Sequence, residues 1–136
     1  FAGGHPSSVP RLELRPIEGP FRLLGLEVVP VPVLHGRLPV LAFRVGAFAY
    51  VTDCSAIPPG SMDLLRGLDV LVLDALRHRP HPTHFSLPEA LEVAAELAPG
   101  RTWLTHIAHD LDHATTNATL PPGCELAYDG LTFEVD

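Results

Sequence analysis

An α/β fold with a mixed β-sheet is what these 136 residues predict. Two observations carry the prediction. The first half is a succession of short apolar runs broken by Gly and Pro, and the second half alternates apolar runs with one strongly marked helix. Composition agrees: 46% hydrophobic and 18% charged residues suffice for one core at this length.

Residues 1–10, with Gly3, Gly4, Pro6 and Pro10, read as a loop. Leu12-Glu13-Leu14 alternates like a short edge strand, which Pro16 and Gly19-Pro20 break. Phe21 to Leu34 reads as one strand, with Pro30 and Pro32 placing its later part at an edge or a bulge. Val40–Val45 and Phe48–Thr52, separated by Gly46-Ala47, have the signature of a hairpin whose second strand delivers Asp53. Ser61 is positioned to cap a short helix through Arg66, which Gly67 terminates.

Asp69 to Asp74 is a continuous apolar run of the kind buried on both sheet faces. A His/Pro-rich loop covers residues 77–85. Ser86 followed three residues later by Glu89 is a capping box, and the stripe Leu87, Leu91, Ala94, Ala95, Ala98 has helical spacing up to Pro99-Gly100. Thr102 to Thr105 forms another short buried strand, ending at His106. Glu125–Tyr128, the turn Asp129-Gly130 and Leu131–Val135 read as a terminal hairpin.

Charge narrows the function. A net charge of −7 disfavours nucleic-acid binding through a basic face. An acidic protein still binds phosphate esters where metal ions supply local positive charge. All nine basic residues are Arg. No run approaches the ~18 apolar residues of a membrane span. The start, Phe1-Ala2-Gly3-Gly4, has neither the basic nor the apolar stretch of a signal peptide, and the expected location is cytoplasmic. Cys54 and Cys124 form no CxxC, and each reads as an ordinary thiol. The start at Phe1 rather than Met is expected of a fragment.

Six of the eight histidines fall between His78 and His113. Three candidate metal ligands share one position in the pattern: His35, Asp53 and His106 each follow an apolar strand. Strand ends are rigid, and the loops leaving them gather at one sheet edge. Imidazole nitrogen and carboxylate oxygen suit Zn, Mn or Fe, and a carboxylate can also bridge two ions. Taken singly, each residue reads more simply as a hydrogen-bonded loop residue or an Asx turn. The coincidence of three strand ends with a His-rich loop favours a metal site.

Leu34-His35-Gly36, Tyr50-Val51-Thr52-Asp53 and Leu104-Thr105-His106-Ile107-Ala108-His109 resemble, in order and spacing, the later motifs of the metallo-β-lactamase superfamily. Thr83-His84-Phe85-Ser86-Leu87 and Tyr128-Asp129-Gly130 fit the branch of the phosphonate-pathway cyclic phosphodiesterase, more distantly ribonuclease Z. The resemblance runs from about residue 11 onward. It implies that residues 1–136 are the second half of an αββα sandwich. The superfamily's first metal motif, His-x-His-x-Asp-His, is absent from this sequence.

The resemblance also implies roles. His35 is a ligand of the first metal, Asp53 the carboxylate shared by two divalent ions (Zn or Mn), and His106 a ligand of the second. His84 donates a proton to the leaving alkoxide or holds the phosphate. His109 either supports His106 from outside the coordination sphere or is a surface residue. His78 and His81 read first as loop residues, and Asp110, Asp112 and His113 as a solvated helix start. His5 has no expected role.

The implied activity is a phosphodiesterase acting on a small, cyclic or linear, phosphodiester through a dinuclear metal-bound hydroxide. The alternatives are a thioester or lactone hydrolase of the same fold, and a non-catalytic structural or interaction module. The isolated half is expected to be inactive and, with strand edges exposed, prone to form homodimers.

Overall fold

The computed structural model describes residues 10–135. Seven strands form one sheet in the simple order β1 to β7: Phe21–Leu23, Leu26–His35, Leu38–Val45, Phe48–Val51, Val70–Asp74, Arg101–Thr105 and Cys124–Leu126. The first four make an antiparallel meander, and β4 through β7 are parallel. Each parallel step needs a crossover. These are α1 (Pro59–Leu64), α2 (Leu87–Leu97) and α3 (His113–Asn117). The α/β class and the mixed sheet are as the sequence predicts.

The elements follow local chemistry. In α2, the Glu89 N–H donates to Ser86 Oγ while Glu89 Oε2 accepts from the Ser86 N–H at 2.7 Å, so the capping box is closed in both directions. Ala98, at φ +46°, ends that helix in the left-handed conformation. On one face of the sheet, Val51, Leu71, Leu73, Leu104 and Leu126 alternate inward and pack with Leu65, Ala90 and Leu97. On the other face, Phe133 from the C-terminal segment stacks on Trp103 (centroids 6.3 Å apart) and meets Phe48 at 5.9 Å. Among the described residues, no helix is long and apolar enough to cross a membrane.

Four expectations are corrected. The run from Phe21 to Leu34 is two strands, because Leu24 and Gly25 both take positive φ (+51° and +81°) in a two-residue hairpin turn. Leu12–Leu14 forms no strand, and both leucines are exposed. The terminal hairpin is also absent. Instead β7 joins β6 in parallel, and Leu131–Val135 crosses the sheet face as irregular chain held by Phe133. Helix α1 begins at Pro59 behind Pro58, two residues before Ser61, whose hydroxyl donates to the Pro32 carbonyl instead of capping. Pro30 and Pro32 do lie where β2 is an edge, since β1 pairs only with Leu26–Val28.

Candidate metal centre

Strand direction places the site. β2 and β4 both run antiparallel to β3, and β4 through β7 are parallel, so five strands end at one edge of the sheet. His35 is the last residue of β2, and Asp53 lies two residues past β4. Asp74 ends β5, and His106 follows β6 directly. Such C-terminal edges are where open α/β sheets build their sites.

Asp53 and His106 sit at φ +52° and +60°. Non-glycine residues in that region carry backbone strain of about 1–3 kcal/mol and collect at functional sites. The strained turns aim the two side chains at each other: His106 Nε2 stands 3.4 Å from Asp53 Oδ1. Adjacent donors around a tetrahedral Zn, each bound at ~2.0–2.2 Å, stand roughly 3.3–3.5 Å apart. The separation therefore fits a shared ion. His35, Asp53 and His84 offer ligand atoms all within 4.8 Å of one another, and so do Asp74, His84 and His106.

Asp74 is the residue that sequence reasoning missed. Its side chain is fully buried, and Oδ2 accepts from the Cys54 N–H at 2.8 Å and pairs with His84 Nδ1 at 2.8 Å. Oδ1 has no hydrogen-bond partner among the described residues and lies 4.0 Å from His106 Nδ1. A buried carboxylate with an unused oxygen is costly unless something positive faces it. That orphan oxygen, beside two imidazoles, is the strongest local sign that this edge is built for cations. The signal in the sequence was a charge ending an otherwise apolar strand.

The His84 loop closes over the edge. The His84 ring stacks on His106 (centroids 4.5 Å apart, planes 28° apart) and meets His35 edge-on at 4.8 Å. The Phe85 N–H donates to the Cys54 carbonyl, tying this loop to the Asp53 turn. His35 Nδ1 lies 2.9 Å from the Thr83 carbonyl. Gly36, at φ +64°, lets the loop come close, since a Cβ there would stand 3.0 Å from Thr83 Cγ2. Ser55 Oγ accepts from the Gly36 N–H at 2.9 Å and completes the tie between the three loops.

The remaining candidates scatter. His81 stands beside His84, with centroids 5.2 Å apart. Its pKa is lowered by desolvation first, then by the charge of Arg77 and by His84 and His35. Cys54 is fully buried, and burial chiefly, with the nearby Asp74 charge, pushes its thiol up to about 12. His109 is exposed on the turn after His106. Asp112 caps α3 by accepting from the Thr115 N–H, and Asp110, Asp112 and His113 are exposed, so their reading as a solvated helix start is borne out. His78 lies with Asp110 and Asp112 along a shallow surface cleft away from His35 and Asp53. His5 lies outside the described residues.

Known proteins share this fold. The model of the beta-lactamase superfamily domain matches residues 2–107. The chain is 48% identical to a diphosphatase of the PhnP family, with a TM-score of 0.88 over 90% of this chain and 49% of that one. Human tRNase Z, short form, matches at 19% identity and a TM-score of 0.64 over 85% of this chain and 46% of that one, a likeness of fold. An octanoyltransferase of Porphyromonas gingivalis is 31% identical over 91% of this chain but only 25% of its own length. The chain thus spans about half of the matched diphosphatase and a quarter of the curated relative. It belongs to the beta-lactamase superfamily.

Proposed function

We propose that this chain is the later half of a metal-dependent phosphodiesterase. The observation that carries the reading is the meeting of His35, Asp53 and His106 at one sheet edge beneath a histidine held by a buried carboxylate. Its 48% identity to a PhnP-family diphosphatase supports hydrolysis at phosphorus over other reactions of the fold. His35, Asp53 and His106 are the residues of this chain that would hold divalent ions, with Asp53 as the carboxylate the ions would share. Two protein ligands rarely hold Zn, and catalytic sites usually offer three. The His-x-His-x-Asp-His motif of the family, which these 136 residues lack, would supply the others.

Zn or Mn, when bound, would supply Lewis acidity toward phosphoryl oxygens and water. The residues of this chain do the rest. Asp74 holds His84 through Nδ1 and leaves Nε2 free to carry the proton toward the leaving oxygen. General-acid help of this kind is worth roughly 10²–10⁴-fold. Asp74 also stabilises the imidazolium that must exist before transfer. The Phe85–Cys54 and His35–Thr83 bonds fix the loop that carries His84 above the shared carboxylate.

The substrate is a small phosphodiester, cyclic or linear, and tRNA is disfavoured because the chain's net charge is −7. Cys54 and Cys124 are both free thiols, which suits a reducing compartment such as the cytoplasm.

The test is metal analysis of the full-length protein, together with hydrolysis of bis(p-nitrophenyl) phosphate and of an acyl thioester. Bound divalent metal, phosphodiester turnover and loss of both in Asp53→Ala are expected. Thioester turnover without phosphodiester turnover would reassign the bond cleaved. Full-length protein without metal or either activity would leave only a structural module.

A further inference from the structure

The histidines at this edge share a habit: each turns Nδ1 toward the protein. For His35 the partner is the Thr83 carbonyl at 2.9 Å, and for His84 it is the Asp74 carboxylate at 2.8 Å. His106 Nδ1 faces Asp74 Oδ1 at 4.0 Å. The partners of His35 and His84 are acceptors within hydrogen-bond distance, so those two Nδ1 atoms carry hydrogen. In His35 and in neutral His84 that leaves a lone pair on Nε2.

His81 is the exception. Its Nδ1 lies 3.3 Å from the backbone N–H of Thr83, and an N–H can only donate. Thr83 Oγ1, also at 3.3 Å, adjusts to the same acceptor. Neutral His81 therefore carries its proton on Nε2. One residue sets opposite tautomers in two neighbours, with the Thr83 carbonyl fixing His35 as an Nε2 acceptor and its N–H fixing His81 as an Nε2 donor. A protonated Nε2 cannot ligate a metal but can hydrogen-bond an anion.

The loop that carries His81 is itself held, since Arg77 donates to the Arg79 carbonyl at 3.2 Å and to the Pro80 carbonyl at 2.9 Å. The His81 ring is half-buried, with its centroid 5.2 Å from that of His84 and the two planes tilted by 48°.

We propose that His81 binds the substrate, its Nε2–H donating to a phosphoryl oxygen, and that it is neither a metal ligand nor the proton donor. The assignment rests on the phosphoester reading of the site. A hydrogen bond to an anion is worth enough to change binding about 10–100-fold.

The test uses the full-length, metal-loaded protein and inorganic phosphate as the probe, with titration calorimetry as the readout. His81→Ala is expected to weaken phosphate about 10–100-fold. It should raise KM for a phosphodiester by a similar factor, with kcat and metal content near wild type. His81→Gln, whose amide also donates, recovers part of the loss. Phosphate binding that is unchanged in His81→Ala overturns the assignment, and so does loss of metal. A metal-loaded wild type that takes no phosphate refutes the phosphoester reading itself.

Discussion

Replacing Asp74 by Asn removes one charge and almost no volume, and it tests the His84 assignment directly. Asp74 Oδ2 receives two donors, the Cys54 N–H and His84 Nδ1, each at 2.8 Å. An Asn carbonyl in the same place still accepts both, so the geometry survives while the charge does not. Hydrogen bonds to charged groups contribute about 1.5–3 kcal/mol, against about 0.5–1.5 for neutral ones. The imidazolium form of His84 thus loses about 1–1.5 kcal/mol, roughly tenfold in rate. If the ring also drifts, the loss is bounded by the whole general-acid contribution, roughly 10²–10⁴-fold.

Folding stability should change little, because removing a buried charge also removes its desolvation penalty. The assay compares two substrates on the full-length protein. An alkyl phosphodiester, whose alkoxide needs a proton to leave, should slow by at least about tenfold. A p-nitrophenyl phosphodiester, whose leaving group departs as a stable anion, should be nearly unaffected. Equal losses on both substrates, or loss of bound metal, would refute the proton-donor role of His84 and make Asp74 a direct support of the ions.

Three further outcomes follow from the fold. Gly36→Ala forces a Cβ to within 3.0 Å of Thr83 Cγ2 at φ +64°, and should cost about 1–3 kcal/mol in urea denaturation. Ser86→Ala opens the capping box and should lower stability by about 1 kcal/mol near neutral pH. The folded pKa of Glu89 is depressed, chiefly by the Ser86 hydroxyl and then by its backbone N–H. Its contribution is therefore present above the ordinary value of 4.5 and lost as pH falls through the lower folded value, so Ser86→Ala should flatten the acid limb of the stability curve. Cys54, buried and pushed up to about 12, should resist iodoacetamide at pH 8 in the native protein and react once urea is added, as read by intact mass.

The sequence was most legible where a local rule and the tertiary environment agree. The Ser86 capping box, the buried strand ending at Asp74 and the Gly46-Ala47 hairpin all formed as read. The hairpin at Leu24-Gly25 was hidden because leucine rarely takes positive φ, so nothing but a lone glycine marked the turn. The C-terminal segment alternates like a strand, yet Phe133 gains more by covering Trp103 and Phe48 than by pairing backbone. At the candidate site, the strand-end rule brought His35, Asp53 and His106 to one edge together with His84. It passed over Asp74 because a strand-terminal carboxylate looks like the start of a loop. Only its partners, the Cys54 N–H and His84, show otherwise, and they lie 20 and 10 residues away.

The parallel register of β4, β5 and β6 makes the sheet a ruler. Neighbouring strands lie about 4.8 Å apart, so Asp53, Asp74 and His106 leave the sheet at steps of one strand, and His35 leaves two strands beyond Asp53. None of the four contributes an apolar side chain to the core beneath. The donors at the three more accessible ends, His35, Asp53 and His106, can therefore be exchanged by a single codon change without repacking the interior, whereas Asp74 is fully buried and holds the Cys54 N–H and His84. Metal preference can drift in such a lineage while the scaffold stays fixed, and His106→Asp is the one-residue step toward a harder, all-oxygen pairing with Asp53.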